Sequence, residues 1–224
     1  MIAEIGLIFL IFSILFSLVT SIYPSVGFLN KNWVLQNTKT LEKLTNLIFF
    51  CILLSFICLT HSFIISDFSL LITSKNSNSE LPLIYKITGV WGNHEGSILL
   101  WLLVMSFFGF LFSRNKIIEF TLKSTILQIQ GLLCFLVGIF VLFTSNPFER
   151  IFPPQIEGRD LNPLLQDPGL AIHPPFLYMG YVGFSIVYSI AIGGLIRGKV
   201  SLQFIKLIKP WIYLSWIFLT CGIG

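Results

Sequence analysis

Five stretches of this chain, residues 5–22, 44–65, 96–113, 124–145 and 175–196, contain no Lys, Arg, Asp or Glu. Crossing about 30 Å of hydrocarbon takes roughly 20 apolar residues in a helix. Lipid offers the backbone no hydrogen-bond partners, so each stretch must satisfy its own. The runs are continuously apolar and do not alternate, which excludes a transmembrane barrel. Composition agrees: 55% of residues are apolar and 11% charged, where soluble domains carry about a quarter charged residues. The expected fold is all-α, a polytopic membrane protein in which residues 1–224 form one integral membrane domain. A sixth apolar run, 211–224, has fourteen residues and covers only ~21 Å as a helix. It is expected to be an incomplete span, the chain being either a fragment or one product of a split gene.

Glu4 near the N-terminus, and no A-x-A-like site after the first run, argue against a cleavable signal peptide. Cys51, Cys58, Cys134 and Cys221 fall inside spans, without C-x-x-C or C-x-x-C-H. They read as small buried hydrophobes.

Charge fixes the expected orientation. Lys31, Lys39, Lys43, Arg114, Lys116, Lys123, Arg197, Lys199, Lys206 and Lys209, ten of the fourteen basic residues, share one side with Glu42 and Glu119. Lys75, Lys86, Arg150 and Arg159 share the other with the remaining eight acids. The basic side should face the cytoplasm or matrix. The N-terminus and the loops 66–95 and 146–174 then face outward. Basic residues split among three short loops do not make a nucleic-acid surface.

The outer loops carry the chemistry. The first ends in Trp91-Gly92-Asn93-His94-Glu95-Gly96-Ser97, with Trp101 downstream. It reads either as a helix start with interfacial Trp anchors and Glu95 at the positive end of the helix dipole, or as a polar site built on His94 and Glu95. The second, from Ser145 to Gly183, holds seven of the ten prolines and sets His173 against Pro174-Pro175. Pro174 biases His173 toward extended backbone, and Pro175 fixes the next φ. Asp160, Asn162 and Asp167 should hold the loop by local side-chain bonds. Phe152, Leu161, Leu164, Leu165, Leu170 and Ile172 give it apolar surface to bury. His173 is open to catalysis, ligation or packing. Structural zinc wants four ligands, whereas haem needs only one or two axial ones. His61, near the outer end of its span, reads as an interfacial or hydrogen-bonded residue. Gly180, Gly183, Gly193 and Gly194 should let the fifth helix pack closely on its neighbours. No phosphate loop, G-x-S-x-G or H-E-x-x-H occurs. Spans without charge disfavour an ion or proton pathway.

At these loops the chain resembles the cytochrome c maturation haem lyase family, the CcmF proteins and their nitrite-reductase-associated NrfE relatives, in its N-terminal portion. The W-G-x-H-E-G-S signature stands at Trp91 to Ser97. The long S-N-P-F … G-x-D-L-N-P-L-L-Q-D-P-G … H-P-P-x-L-Y-x-G-Y-V-G signature stands at Ser145 to Gly183. The resemblance implies a bacterial inner-membrane protein, or alternatively a mitochondrial inner-membrane one, working in c-type cytochrome biogenesis. Such proteins take b-type haem from a haem chaperone, act with other maturation subunits, and attach the haem vinyl groups to the C-x-x-C-H cysteines of an apocytochrome c. It further implies that His173 is an outward-facing axial ligand to the haem iron, with Trp91, His94, Glu95, Asp167, Pro174, Pro175 and Tyr178 supporting the site. The second axial ligand, the tryptophan-rich loop and the histidines of a separate b-type haem belong to the family's later regions. No catalytic residue is assigned, and this chain alone is not expected to perform ligation. A haem or small-molecule transporter and a non-catalytic assembly scaffold are the alternatives.

Overall fold

The computed structural model describes residues 1–26, 38–116 and 118–224; Lys31 lies outside them, as does the side chain of Leu170. Nine α-helices occur among the described residues: α1 (Ile2–Val26), α2 (Thr38–Ile64), α3 (Leu71–Asn76), α4 (Leu83–Gly89), α5 (His94–Ser113), α6 (Phe120–Thr144), α7 (Pro168–Tyr181), α8 (Phe184–Ile196) and α9 (Leu202–Ile223). Six helical segments are long and apolar enough to cross a membrane, the fifth formed by α7 and α8 in series from Ala171 to Ile196. The protein is a multi-pass membrane protein.

α1 packs on α2 and α6, α5 closes the group against the same two helices, α8 lies on α6, and α9 lies on α7 and α8. Leu10, Ile52, Leu59, Leu99, Phe108, Ile126 and Ile186 fill the interior. Ile5, Ile8, Phe12, Leu15, Val19 and Ile22, spaced three or four apart along α1, are exposed. That spacing keeps them on one helical face, where they meet lipid. Each of the four glycines expected to admit a close neighbour does so. A Cβ on Gly180 would lie 2.6 Å from Leu219 Cα and one on Gly193 2.7 Å from Ile126 Cγ1, while Gly183 and Gly194 abut Phe108 and Phe204.

Hydroxyls within the bundle bond back to their own helix: Ser13 to the Leu10 carbonyl, Thr20 to Phe16, Thr45 to Leu41, Ser106 to Leu103. The buried Gln130 of α6 does more. Its Nε2 donates to the Met105 carbonyl (2.9 Å) and to Ser185 Oγ (3.0 Å), and its Oε1 accepts from Ser189 Oγ at 2.8 Å. One amide thus joins α5, α6 and α8.

Two expectations change. The sixth helix does not begin at residue 211 but runs Leu202–Ile223, with Phe204–Ile223 meeting the length and composition of a span. Ser201 caps it, its Oγ accepting from Phe204 N, and Lys206 and Lys209 are exposed in its first turns, where long side chains reach water from the interface. The segment 66–95 holds the short helices α3 and α4. The four thiols are free, but only Cys51 and Cys134 are buried, and Cys221 is exposed on the peripheral α9.

Gln130→Leu removes the bonds to Met105, Ser185 and Ser189 at once. Interhelical polar bonds in lipid contribute about 0.6–1.7 kcal/mol, so thermal unfolding in detergent should show a loss of about 1–2 kcal/mol. An unchanged or raised midpoint would contradict the network.

Candidate functional site

The polar ends of the bundle differ. At one end Lys123 reaches Glu42 at 2.5 Å, Arg197 Nε donates to Thr125 Oγ1 at 2.7 Å, and Lys199 pairs with Glu119. At the other, the N-terminus and both motif-bearing loops come together. Leu70 and Arg150 form an antiparallel bridge, with Leu71 N donating to the Glu149 carbonyl (2.9 Å) and Ile151 N to that of Ser69 (3.0 Å). Arg150 also pairs with Glu4 and Asp67, tying in the start of α1. Farther along, Ser79 donates to Glu157 through both Oγ (2.6 Å) and N (2.9 Å). The Ser79 hydroxyl, then the Ser79 and Gly158 amides, hold the Glu157 carboxyl below the usual carboxylate range.

Within the first motif Asn93 is the N-cap of α5. Its Oδ1 accepts from Gly96 N at 2.8 Å, and its Nδ2 donates to the Gly89 carbonyl at 2.7 Å. Gly96 sits so close to the Val90 carbonyl oxygen that a Cβ would overlap it. Glu95 occupies the first turn, as expected. His94 Nε2 stands 3.0 Å from the Oγ of Ser145, the first residue of the second motif.

The second motif departs from expectation at its centre. His173 is not in extended backbone at the end of a loop; His173, Pro174 and Pro175 all lie inside α7. The helix starts early because Asp167 caps it, accepting from Gly169 N at 2.7 Å, and Pro168 takes its first position, where a missing N–H costs nothing. Pro174 and Pro175 then remove two donors, those to the Leu170 and Ala171 carbonyls. Both prolines fall midway along α7, near the start of the spanning segment Ala171–Ile196. The remaining turn bonds are as expected: Asp160 accepts from Leu161 N (2.8 Å) and Asn162 from Leu164 N (3.1 Å).

The two motifs line one cavity of about 310 Å³. Thr88, Trp91, Gly92, Asn93, His94 and Ser97 form one wall, and Leu161, Leu165, Pro174 and Tyr178 the other. Below it Trp101 meets Tyr178 and Tyr181 edge-on at 5.8 and 5.0 Å. The indole Nε1 atoms of Trp91 and Trp101 are buried without a hydrogen bond among the described residues.

Of the residues singled out in the sequence, Trp91, His94, Pro174 and Tyr178 therefore converge, while Glu95, Asp167, Pro175 and His173 lie outside the lining. His173 is exposed and shares a face of α7 with Ile172 and Phe176, 61% and 38% exposed. Its ring forms no hydrogen bond among the described residues. His61 sits apart in α2, half-buried, its Nδ1 without a partner among the described residues. Gly92, Ser97 and the lining role of Leu161 and Leu165 were not foreseen; two apolar residues in a polar, proline-rich loop were the available signal. Among the described residues no three His, Cys, Asp or Glu side chains gather to hold a metal ion. His94 and Tyr178 are the titratable groups among the lining residues.

The family model described as cytochrome C assembly protein matches residues 91–224. Over its full length the chain is 44% identical to the cytochrome c-type biogenesis protein ccl1 of Rhodobacter capsulatus, covering 34% of that protein. It is likewise 41% identical to the cytochrome c-type biogenesis protein CcmF of Escherichia coli, again covering 34%. With the cytochrome c-type biogenesis protein NrfE of Haemophilus influenzae it shares 40% identity, covering 35%. The chain thus spans about a third of the length of the curated relatives it matches. A solved structure titled cytochrome c heme lyase CcmF shares the fold: TM-score 0.85, 24% identity, 99% of this chain and 35% of that one.

Asn93→Ala should lower stability by about 1 kcal/mol through the lost cap. Gly96→Ala should cost about 1–3 kcal/mol, because the added methyl forces the Val90 carbonyl aside. Thermal melts of both variants check this, and a Gly96→Ala midpoint equal to that of the parent chain would contradict the close approach at Gly96.

Proposed function

The chain belongs to the cytochrome C assembly protein family, and from that premise we propose that it forms the membrane scaffold and one haem-holding face of a c-type cytochrome biogenesis haem lyase. Haem is the substrate. The imidazole of His173 takes the iron on the outer side of a bacterial inner membrane. A haem chaperone delivers the haem, other maturation subunits assist, and an apocytochrome c bearing C-x-x-C-H receives it.

One observation carries the reading. His173 is exposed with no hydrogen bond to its ring among the described residues, beside Ile172, which is largely uncovered, and Phe176, which is part-covered by Phe218. A ring held away from partners is free to donate a nitrogen lone pair to iron, and the flanking apolar side chains suit the flat face of a porphyrin. Trp91, His94, Pro174 and Tyr178 set α7 against the start of α5, Asp167 fixes where α7 begins, and Pro175 helps shape its first turns. Glu95 contributes negative charge at the start of α5. When bound, haem supplies the reactive vinyl groups; this chain contributes binding, orientation and shelter. Holding the partners in register is a large share of the barrier in such a reaction. The relatives are about three times as long as this chain, and ligation is the work of the assembled lyase, not of this chain alone.

Replacing groups that merely orient a metal ligand costs about 10–100-fold in affinity. His173→Ala in the complete protein, purified with haem chaperone, should therefore lower bound haem at least ~10-fold and diminish cytochrome c maturation. An unchanged haem spectrum together with undiminished maturation would remove His173 from the role.

A further inference from the structure

Residues 160–173 are tied to the rest of the protein in an unusual way. The last backbone bond that fastens this segment to another element is Arg159 N to the Ser74 carbonyl, at 2.7 Å. From there to His173 every hydrogen bond among the described residues is local. Leu161 N and Leu164 N go to Asp160 and Asn162, Leu165 N and Gln166 N to the carbonyls of Asn162 and Pro163, Gln166 Nε2 to that of Leu161, and Gly169 N to Asp167. The contacts to the bundle are apolar. Leu161 is 1% and Ala171 8% exposed, and Leu165 sits against Gly92, where a Cβ would lie 3.3 Å from Leu165 Cδ1 and 3.6 Å from Leu161 Cδ1.

At the far end, Pro174 and Pro175 leave the Leu170 and Ala171 carbonyls without their helical donors. Missing ladder bonds of this kind are where helices bend. Immediately beyond, α7 is firmly seated on α9: the Phe176 and Phe218 rings lie 5.8 Å apart, and Leu177 and Gly180 abut Gly222 and Leu219. The segment that carries His173 is thus bracketed by two anchors and joined to the second through a double-proline hinge. Between them, Leu161 and Leu165 plug into the cavity beside Gly92.

We propose that Gly92, Leu161 and Leu165 are positioning residues for His173: they form a latch that sets where residues 160–173, and the imidazole at their end, stand relative to the bundle. The inference rests on the reading of His173 as a haem ligand. Seating depth at Gly92 fixes the start of α7, and the Pro174–Pro175 hinge converts a change in that seating into a displacement of the His173 ring. A Cβ on Gly92 would stand 3.3 Å from Leu165 Cδ1, so that Leu165 would have to give by a few tenths of an ångström, and a larger side chain would push it farther.

The test uses the complete protein with Gly92→Val, and with Gly92→Ala alone and paired with Leu165→Val, which returns the space the new methyl takes. Hydrogen exchange without haem reads the latch itself. Amides of 161–173 should exchange together and at least ~10-fold faster than those of 177–181, and Gly92→Val should speed the former by a further factor of about ten. Haem titration with absorption and resonance Raman spectra reads the positioning. Gly92→Val should weaken binding about tenfold and shift the iron–histidine signature; Gly92→Ala should do both to a smaller degree, and adding Leu165→Val to Gly92→Ala should restore both. Exchange in 161–173 that ignores Gly92→Val overturns the latch. Faster exchange with an unaltered haem signature, or a pair that fails to restore what Gly92→Ala alone disturbs, overturns the positioning role. A haem spectrum that ignores His173→Ala while exchange responds to Gly92→Val sinks the ligand assignment and leaves the latch intact.

Discussion

Hydrocarbon offers no partner to a polar group, and the rest of this structure follows from that constraint. Each unpaired backbone group inside lipid costs several kcal/mol, so the spans are helices and their hydroxyls turn back on their own carbonyls. The buried amide of Gln130 fits only because Met105, Ser185 and Ser189 meet it from two other helices. Everything ionised is pushed to the two ends of the bundle. The basic loops gather around Lys123, Arg197 and Lys199 at one end. The other end collects eight of the ten acids, most of the prolines and the candidate site residues.

Segregation also decides how a site can be built. The charged residues and histidines of the spans, among them His61, His94, Glu95, Lys123 and His173, sit toward their ends, so the candidate site forms where span ends meet the loops. The Leu70–Arg150 bridge and the Ser79–Glu157 bonds stitch those loops together. That brings Trp91 to Ser97 against Leu161, Leu165, Pro174 and Tyr178 around one cavity. His173 stands just outside, on an exposed face of α7. Under the proposed function this layout serves to hold and present haem, the division of labour expected when a cofactor carries the reactive groups.

Much of the fold was legible because the rule that spans obey is simple: five uncharged runs gave five spans within a few residues of their ends. The turn bonds of Asp160, Asn162 and Asp167 were legible as well, since they are local. The start of α7 was misread because Pro174 speaks for extended backbone, while the Asp167 cap and Pro168 speak for a helix that begins five residues before His173; the cap won. The sixth helix was cut short because Lys206, Lys209 and Pro210 break an apolar count without breaking a helix at an interface. The convergence of the two motifs was invisible. It depends on Leu161 and Leu165 packing beside Gly92, a contact between residues about seventy apart in sequence that no periodicity reports.

The account depends most on the side of the membrane that the cavity and His173 face. Single cysteines at Leu164 and Val200, 78% and 61% exposed and at opposite ends of the bundle, with Cys221 changed to Ser, report it directly. In right-side-out vesicles a membrane-impermeant maleimide should label the cysteine at position 164 at once, and the one at 200 only after permeabilisation. Labelling of position 200 but not 164 in sealed vesicles would put His173 in the compartment of the basic loops, and the proposed role would fall with it.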